Sequence, residues 1–168
     1  MSKSLKIFHV LGLVMFLGSI VAMIVVNQGH PAGVGPEQYL FARKAIYFTT
    51  SVVTMPGLYL LIVSGVGMVI AKRMWPLPTP WLLLKAVFAG LILVNAQFLV
   101  VPIGKVLAGA AGGVVLDEFT RSDLAAIENR EHYFGSVNVV LTLLAIGLAV
   151  FRPQLSARGK DRKPLDAR

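Results

Sequence analysis

The chain of 168 residues contains no cysteine, and only 14% of its residues are charged. Without cysteine it can hold no disulfide, thiolate zinc site, iron–sulfur cluster or cysteine nucleophile. Soluble domains have about 25% charged and about 45–50% apolar residues. This chain has fewer charged residues than that, is 56% hydrophobic and has a mean hydropathy of +0.74. The composition therefore excludes a disordered chain and a nucleic-acid-binding arm, and it indicates an integral membrane protein.

Signatures of common catalytic sites are missing as well. The sequence has no H-E-x-x-H, no G-x-S-x-G, no Walker loop and no dinucleotide-binding fingerprint. All eight carboxylates lie outside the long apolar stretches, which does not fit a cation pump, because acids inside the spans mark ion pathways. These absences leave open whether the protein is an enzyme.

Four apolar stretches, 7–26, 45–71, 81–103 and 133–151, are long enough to cross a bilayer, since a spanning helix needs about 20 residues. The first stretch follows two lysines, as in a signal peptide, but it is longer than a normal signal core and no A-x-A cleavage site follows it. We therefore predict an all-α integral membrane four-helix bundle over residues 1–152 and a basic cytoplasmic tail over residues 153–168.

Basic residues in the short segments predict the orientation. Lys3 and Lys6 near the N-terminus, Lys72 and Arg73 in the second connection, and the basic tail all fall on one side of a four-span chain. Because cytoplasmic loops are enriched in Lys and Arg, both termini are expected in the cytoplasm. The net charge of +8 then faces anionic membrane lipid rather than nucleic acid.

The third connection, residues 104–132, is the long one. It begins with the glycine-rich segment GKVLAGAAGG and continues with LDEFTRSDLAAIENREHYF, in which apolar residues alternate with charged ones. This pattern predicts a flexible start and then a short amphipathic helix on the outer membrane surface. Alternatively, the segment provides a docking surface for another subunit.

Two ionisable residues inside the spans form the shortlist for a functional site. His9 lies about one turn into the first span and Lys85 about one turn into the third, and both spans start on the cytoplasmic side. The two side chains are therefore expected at similar depth. Gly12, Phe16, Ser19 and Met23 share the side of His9 on a helix, and small residues favour close packing, so His9 is expected to face the bundle interior.

No carboxylate within the spans neutralises Lys85, which leaves three interpretations. The long stem of Lys85 snorkels to the interface, or its ammonium meets an anion from outside the chain, or it acts with His9 in proton transfer. The anion would be a phospholipid, a quinone-like ligand or a cofactor carboxylate. A b-type haem suits the pair, since imidazole is a common axial ligand and a cation suits a propionate. For His9 the alternative is a hydrogen-bonded structural role.

The other polar residues in the spans are expected to serve helix packing and interhelical hydrogen bonds. Asn95 and Gln97 lie on different faces of span three and so form no single site. Pro56 is expected to kink span two. One side of span two consists of Thr50, Thr54, Gly57, Leu61, Ser64 and Met68. A stripe of small or polar residues on span four consists of Gly135, Asn138, Thr142 and Ala145.

Two histidines, His30 and His132, are expected on the outer side. Such a pair can bind a metal ion or a second haem. Nothing in the sequence sets their separation, so we favour ordinary surface histidines.

Several segments resemble bacterial four-span membrane proteins: FHVLGLVMFLGSI, MPGLYLLIVSGVG, PWLLLK, the VP pair that ends span three, and GLAVFRP. The resemblance is to an uncharacterised integral membrane family, to HemJ-type protoporphyrinogen oxidases and to CopD-like membrane domains. In the HemJ type a span-one histidine and a span-three lysine are the functional pair with bound haem b. The resemblance therefore implies that His9 and Lys85 bind the cofactor, with His9 on the haem iron.

Three functions are consistent with these observations. The first is a b-type haem-binding redox protein tied to porphyrin or quinone chemistry. The second is a non-catalytic membrane subunit or assembly factor that packs against a protein partner, or as a homo-oligomer, through small-residue helix faces. The third is a permease component for a small molecule or metal ion. A Soret band in the visible spectrum separates the first two, and vesicle uptake tests the third.

Overall fold

The computed structural model describes residues 3–28, 36–71, 80–111 and 121–151, all of which are helical. The α-helices in chain order are α1 (Lys3–Gln28), α2 (Pro36–Thr49), α3 (Met55–Ala71), α4 (Pro80–Asn95), α5 (Val101–Ala111) and α6 (Arg121–Phe151). Two π-helical segments, Thr50–Thr54 and Ala96–Val100, join α2 to α3 and α4 to α5. The described chain thus forms four long helices.

Each of the four long helices in the described residues is long and apolar enough to cross a membrane, which confirms the predicted all-helical membrane class. They are longer than the predicted spans: the second candidate span begins at Glu37 and the fourth at Asp123, rather than at 45 and 133. Hydropathy falls where charged residues begin, but a helix continues as long as its backbone hydrogen bonds are made. The helices therefore extend past their apolar stretches.

The third connection differs from the prediction of a flexible segment followed by a separate surface helix. Residues 104–111 belong to α5, and residues 121–132 are the first turns of α6. The amphipathic pattern arises because Leu124, Ile127, Glu128 and Glu131 form a partly buried face of α6. Residues 112–120 lie outside the described residues, as do His30, the second connection and the tail.

The two π-helical segments each end two residues before a proline, Pro56 and Pro102. The first N–H after each segment bonds to the carbonyl five residues earlier. A proline lacks an N–H, and its ring clashes with the carbonyl four residues before it. The wider π turn displaces that carbonyl without ending the helix. Span two therefore accommodates Pro56 through a π turn, and span three does the same at Pro102.

Helix α1 packs along α3, α4 packs along α6, and α2 packs against α5. Gly12 of α1 and Gly57 of α3 lie at a close approach of these two helices. A Cβ atom added to Gly12 would lie 2.7 Å from the backbone nitrogen of Leu61 and 2.9 Å from the carbonyl oxygen of Gly57. Glycine at these two positions lets the backbones of spans one and two approach each other, as small residues do in membrane bundles.

The apolar core lies beside the contact of Gly12 with Gly57. It joins α1, α3, α4 and the second π segment. Its buried members are Phe16, Met55, Leu58, Ile92 and Ala96. The buried residues of α1 are Gly12, Phe16 and Ser19. Three of the four residues predicted to share the side of His9 are thus buried, and the fourth, Met23, is partly buried.

Candidate functional site

His9 lies on α1 with its ring against α3. Its Nδ1 atom is 3.1 Å from the carbonyl oxygen of Leu61 and 3.0 Å from Oγ of Ser64. Ser64 donates its hydroxyl proton to the carbonyl of Leu60 at 2.6 Å, and a carbonyl can only accept, so Nδ1 of His9 carries the proton. In the neutral ring this tautomer leaves an unshared electron pair on Nε2. Within the described part of the chain, the hydrogen bonds of this ring involve Nδ1 alone.

Lys85 lies near the start of α4 and is partly buried. Its charge is close enough to act on the imidazole of His9. Both ion pairs among the described residues belong to Arg43, so no described carboxylate pairs with Lys85. The structure thus places the two residues that the sequence singled out at the same end of the bundle, and no described carboxylate pairs with Lys85.

The end of the bundle that holds His9 and Lys85, here called the His9 end, is loosely packed. The last buried residues toward this end are Gly12, Ser64, Ile92 and Thr142, on α1, α3, α4 and α6. Beyond them, residues 3–11, 65–71, 80–91 and 143–150 include no buried residue. In the described chain α4 also makes no extensive backbone contact with α1 or α3. Within the described chain, this end is therefore less tightly packed than the middle of the bundle.

Polar side chains in the middle of the bundle link helices to one another. Thr54 donates a hydrogen bond to Oγ of Ser19 at 2.8 Å, and Nδ2 of Asn95 donates to Oδ1 of Asn138 at 2.8 Å. All four side chains are buried, whereas Gln97 is exposed. The predicted separation of Asn95 and Gln97 is confirmed, and the buried polar groups serve interhelical hydrogen bonding.

The opposite end, here called the Arg43 end, contains a cluster of charges that the sequence analysis missed. Arg43 on α2 is only 7% exposed, and it donates hydrogen bonds to two carboxylates of α6, Glu128 at 2.6 Å and Glu131 at 2.7 Å. Tyr39, one turn earlier on α2, donates to Glu128. The Arg43 guanidinium also lies 5.4 Å from the centre of the Tyr39 ring. The buried cation is therefore fully compensated within the chain.

This cluster was missed because spans two and four were expected to begin at 45 and 133, which left its members in connections. The spacing carried a usable signal. Tyr39 and Arg43 are four residues apart and Glu128 and Glu131 are three apart, so each pair shares one face of a helix. No pattern in the sequence indicates that these two faces meet.

His132 lies beside the Arg43 cluster, where its Nε2 atom is 3.0 Å from Nδ2 of Asn27 at the end of α1. This contact links spans one and four. Among the described residues, no group of three or more His, Cys, Asp or Glu side chains is placed to hold a metal ion. The side chain that hydrogen-bonds to His132 in the described chain is thus the amide of Asn27.

Comparison with protein-family models, with curated proteins and with solved structures found no match to this chain. The function is therefore argued from the residues themselves.

Proposed function

We propose that this chain is a multi-pass protein of a bacterial inner membrane that binds an anionic cofactor, b-type haem, at the His9 end. The observation that carries the proposal is an imidazole held by Nδ1, with the charge of Lys85 nearby and no described carboxylate to neutralise it. Haem, when bound, supplies one-electron redox chemistry at its iron.

The hydrogen bonds of His9 support a ligand role. A histidine that binds a metal almost always donates its other ring N–H to a carbonyl or carboxylate, which sets the tautomer and the ring orientation. His9 has this arrangement, with Nδ1 on the carbonyl of Leu61. An added Cβ at Gly65 would lie 3.5 Å from Cε1 of His9, so the ring is held against α3. Its Nε2 atom is then the one that would bind iron.

The environment of Lys85 supports an anionic ligand. An ammonium among apolar groups without a partner is unfavourable, and in membranes such a group usually pairs or marks a ligand pathway. Lys85 is partly buried, and no described carboxylate pairs with it. A haem propionate would neutralise its charge.

The loose packing of the His9 end supports a large ligand. Cofactor sites in helical bundles are built from side chains on facing helices, and tight packing there would leave no room for a porphyrin. At this end α4 makes no extensive backbone contact with α1 or α3 in the described chain. A flat ligand between His9 of span one and Lys85 of span three would occupy that region.

The proposal includes the N-in, C-in orientation. Its support is the excess of Lys and Arg near the N-terminus, in the second connection and in the tail. The His9 end then faces the cytoplasm. Labelling of single cysteines at Glu128 from the cytoplasmic side alone would contradict this orientation.

The test is the visible spectrum of protein purified from haem-replete cells. We expect a Soret band that is lost in His9→Ala and partly retained in His9→Gln. Lys85→Ala should weaken haem retention, while Lys85→Arg should preserve the charge with altered geometry. His132→Ala and Lys6→Ala are the matched controls, because they remove a histidine at the other end and an exposed lysine of α1. Folded, haem-free parent protein would refute the proposal.

A second candidate, a non-catalytic membrane subunit, is favoured by the same loose packing. A helix from a partner protein or a second copy would also cover the His9 end. Gly18 and Gly90 are exposed, and an added Cβ on either would meet nothing within 4 Å, so they allow close approach of another helix. A haem-free parent that purifies as a stoichiometric complex would favour this candidate.

A further inference from the structure

A groove with a volume of 670 Å³ opens between spans three and four, away from His9 and Lys85. One wall is formed by the second π segment and α5, and the other by residues 127–134 of α6. Its only polar lining residues among the described ones are Asn129, Arg130 and the hydroxyl-bearing Tyr133. The apolar lining includes Phe98, Leu99, Pro102, Val106, Ile127 and Phe134.

The position of this groove along α6 crosses the edge of the membrane. The apolar stretch of span four starts near residue 133, so Arg130 lies about one turn outside it. Phe98 and Phe134 lie within the apolar stretches of spans three and four. The groove therefore runs from the hydrocarbon region, where its walls are apolar, to the headgroup region, where Arg130 lies.

The charge of Arg130 is available to a ligand. It is exposed and takes part in neither of the ion pairs among the described residues. Its chain neighbours Glu128 and Glu131 instead bind Arg43 on another face of α6. A helical side chain leans toward the N-terminus of its helix, and for Arg130 that direction leads outward, away from the hydrocarbon.

We infer that this groove binds an anionic phospholipid, with its phosphate on Arg130 and Asn129 and an acyl chain along the apolar wall. Basic pockets between membrane helices bind anionic headgroups, and an arginine fork matches a phosphate. Tyr133, which is 67% exposed, has the amphipathic ring that membrane proteins place at the headgroup level. A soluble anion would leave the apolar wall without a partner.

The inference is tested by native mass spectrometry of the full chain, released from bilayers that contain equal amounts of phosphatidylglycerol and phosphatidylcholine. We expect the unaltered protein to retain phosphatidylglycerol preferentially, and Arg130→Gln to reduce that preference about fivefold, the effect expected for one cation near the headgroups. Equal retention of the two lipids by the unaltered protein would overturn the inference, whatever the variants do.

Two further variants separate the groove from general electrostatic attraction. Lys105→Gln removes an exposed cation of α5 that does not line the groove, and it should leave the lipid preference unchanged. Val106→Trp, at a lining residue that is 43% exposed, should fill the groove and reduce retention while Arg130 is intact. Equal losses in Lys105→Gln and Arg130→Gln, or full displacement of the lipid by inorganic phosphate, would overturn a specific lipid site.

Discussion

The two ends of the bundle differ in whether a cationic side chain is paired with carboxylates of the same chain. At the Arg43 end, one guanidinium meets two carboxylates at 2.6 and 2.7 Å, and the helices that carry them are tied together. At the His9 end, Lys85 and His9 have no described carboxylate near them, and the helices carry no buried residue beyond Gly12 and Ser64. Charge compensated within the chain indicates a structural role, whereas uncompensated charge indicates a ligand from outside.

The two cations also suit these different roles. The guanidinium of Arg43 is planar and always charged, and its fork donates to Glu128 and Glu131 at once, which links α2 to α6. The ammonium of Lys85 is a compact charge on a flexible stem, which can adjust to a ligand. The first arrangement ties two helices together, and the second is the one that our proposal assigns to a ligand.

The largest expected effect that tests this contrast comes from Arg43→Leu. It leaves two carboxylates unpaired in a site where they are 27% and 13% exposed, so we expect a loss of about 3–5 kcal/mol in the free energy of unfolding. Thermal unfolding in nanodiscs measures it. Lys44→Leu, at the exposed neighbouring position, is the control and should change little.

The same site allows a rescue experiment. Replacing Arg43, Glu128 and Glu131 together with uncharged residues should recover much of the stability lost in Arg43→Leu, because no unpaired charge remains. If the single variant were as stable as the parent, the cluster would have no structural role and the contrast between the ends would fail.

The next largest effect on stability is expected at Gly12, where the close packing of α1 against α3 ends and the His9 end begins. Gly12→Ala would place Cβ 2.7 Å from the backbone of Leu61, so α1 and α3 must move apart at a cost of about 1–3 kcal/mol. Gly18→Ala is the matched control, since an added Cβ there meets nothing within 4 Å. Comparable thermal shifts in both variants would show that the crossing is not tight.

Tyr39→Phe is expected to have a smaller effect at the Arg43 end. It removes one hydrogen bond to Glu128 but leaves both ion pairs of Arg43 in place. The expected loss is about 1.5–2 kcal/mol, at the lower end of the range for a hydrogen bond to a charged group. A loss as large as that of Arg43→Leu would mean that Tyr39, rather than the ion pairs, holds the cluster together.

The smallest effect on stability is expected at Lys85. In ligand-free protein, Lys85→Ala removes a cation without breaking any described ion pair, so unfolding should change by less than about 0.5 kcal/mol or shift toward greater stability. Haem retention should nevertheless fall. A strong destabilisation of ligand-free Lys85→Ala would contradict the assignment of this residue to ligand binding.

Some features of this protein followed from local properties of the sequence. Apolar runs predicted the four long helices, because a bilayer needs about 20 apolar residues per crossing. The helical repeat predicted that Gly12, Phe16, Ser19 and Met23 share one side of span one; the first three are buried and Met23 is partly buried. The helix ends were misplaced because polar residues such as Arg43 are tolerated in a helix once another helix compensates them.

The sequence by itself determined the membrane class, the number of long helices in the described chain and the inward side of span one, since hydropathy and helical periodicity depend on residues a few positions apart. Only the tertiary structure decided which faces meet. Arg43 and Glu131 are 88 residues apart in the chain, and His9 and Ser64 are 55 apart. Such contacts depend on helix packing, for instance the close approach of Gly12 and Gly57, and the periodic pattern of one segment does not show which distant helix its inward face meets.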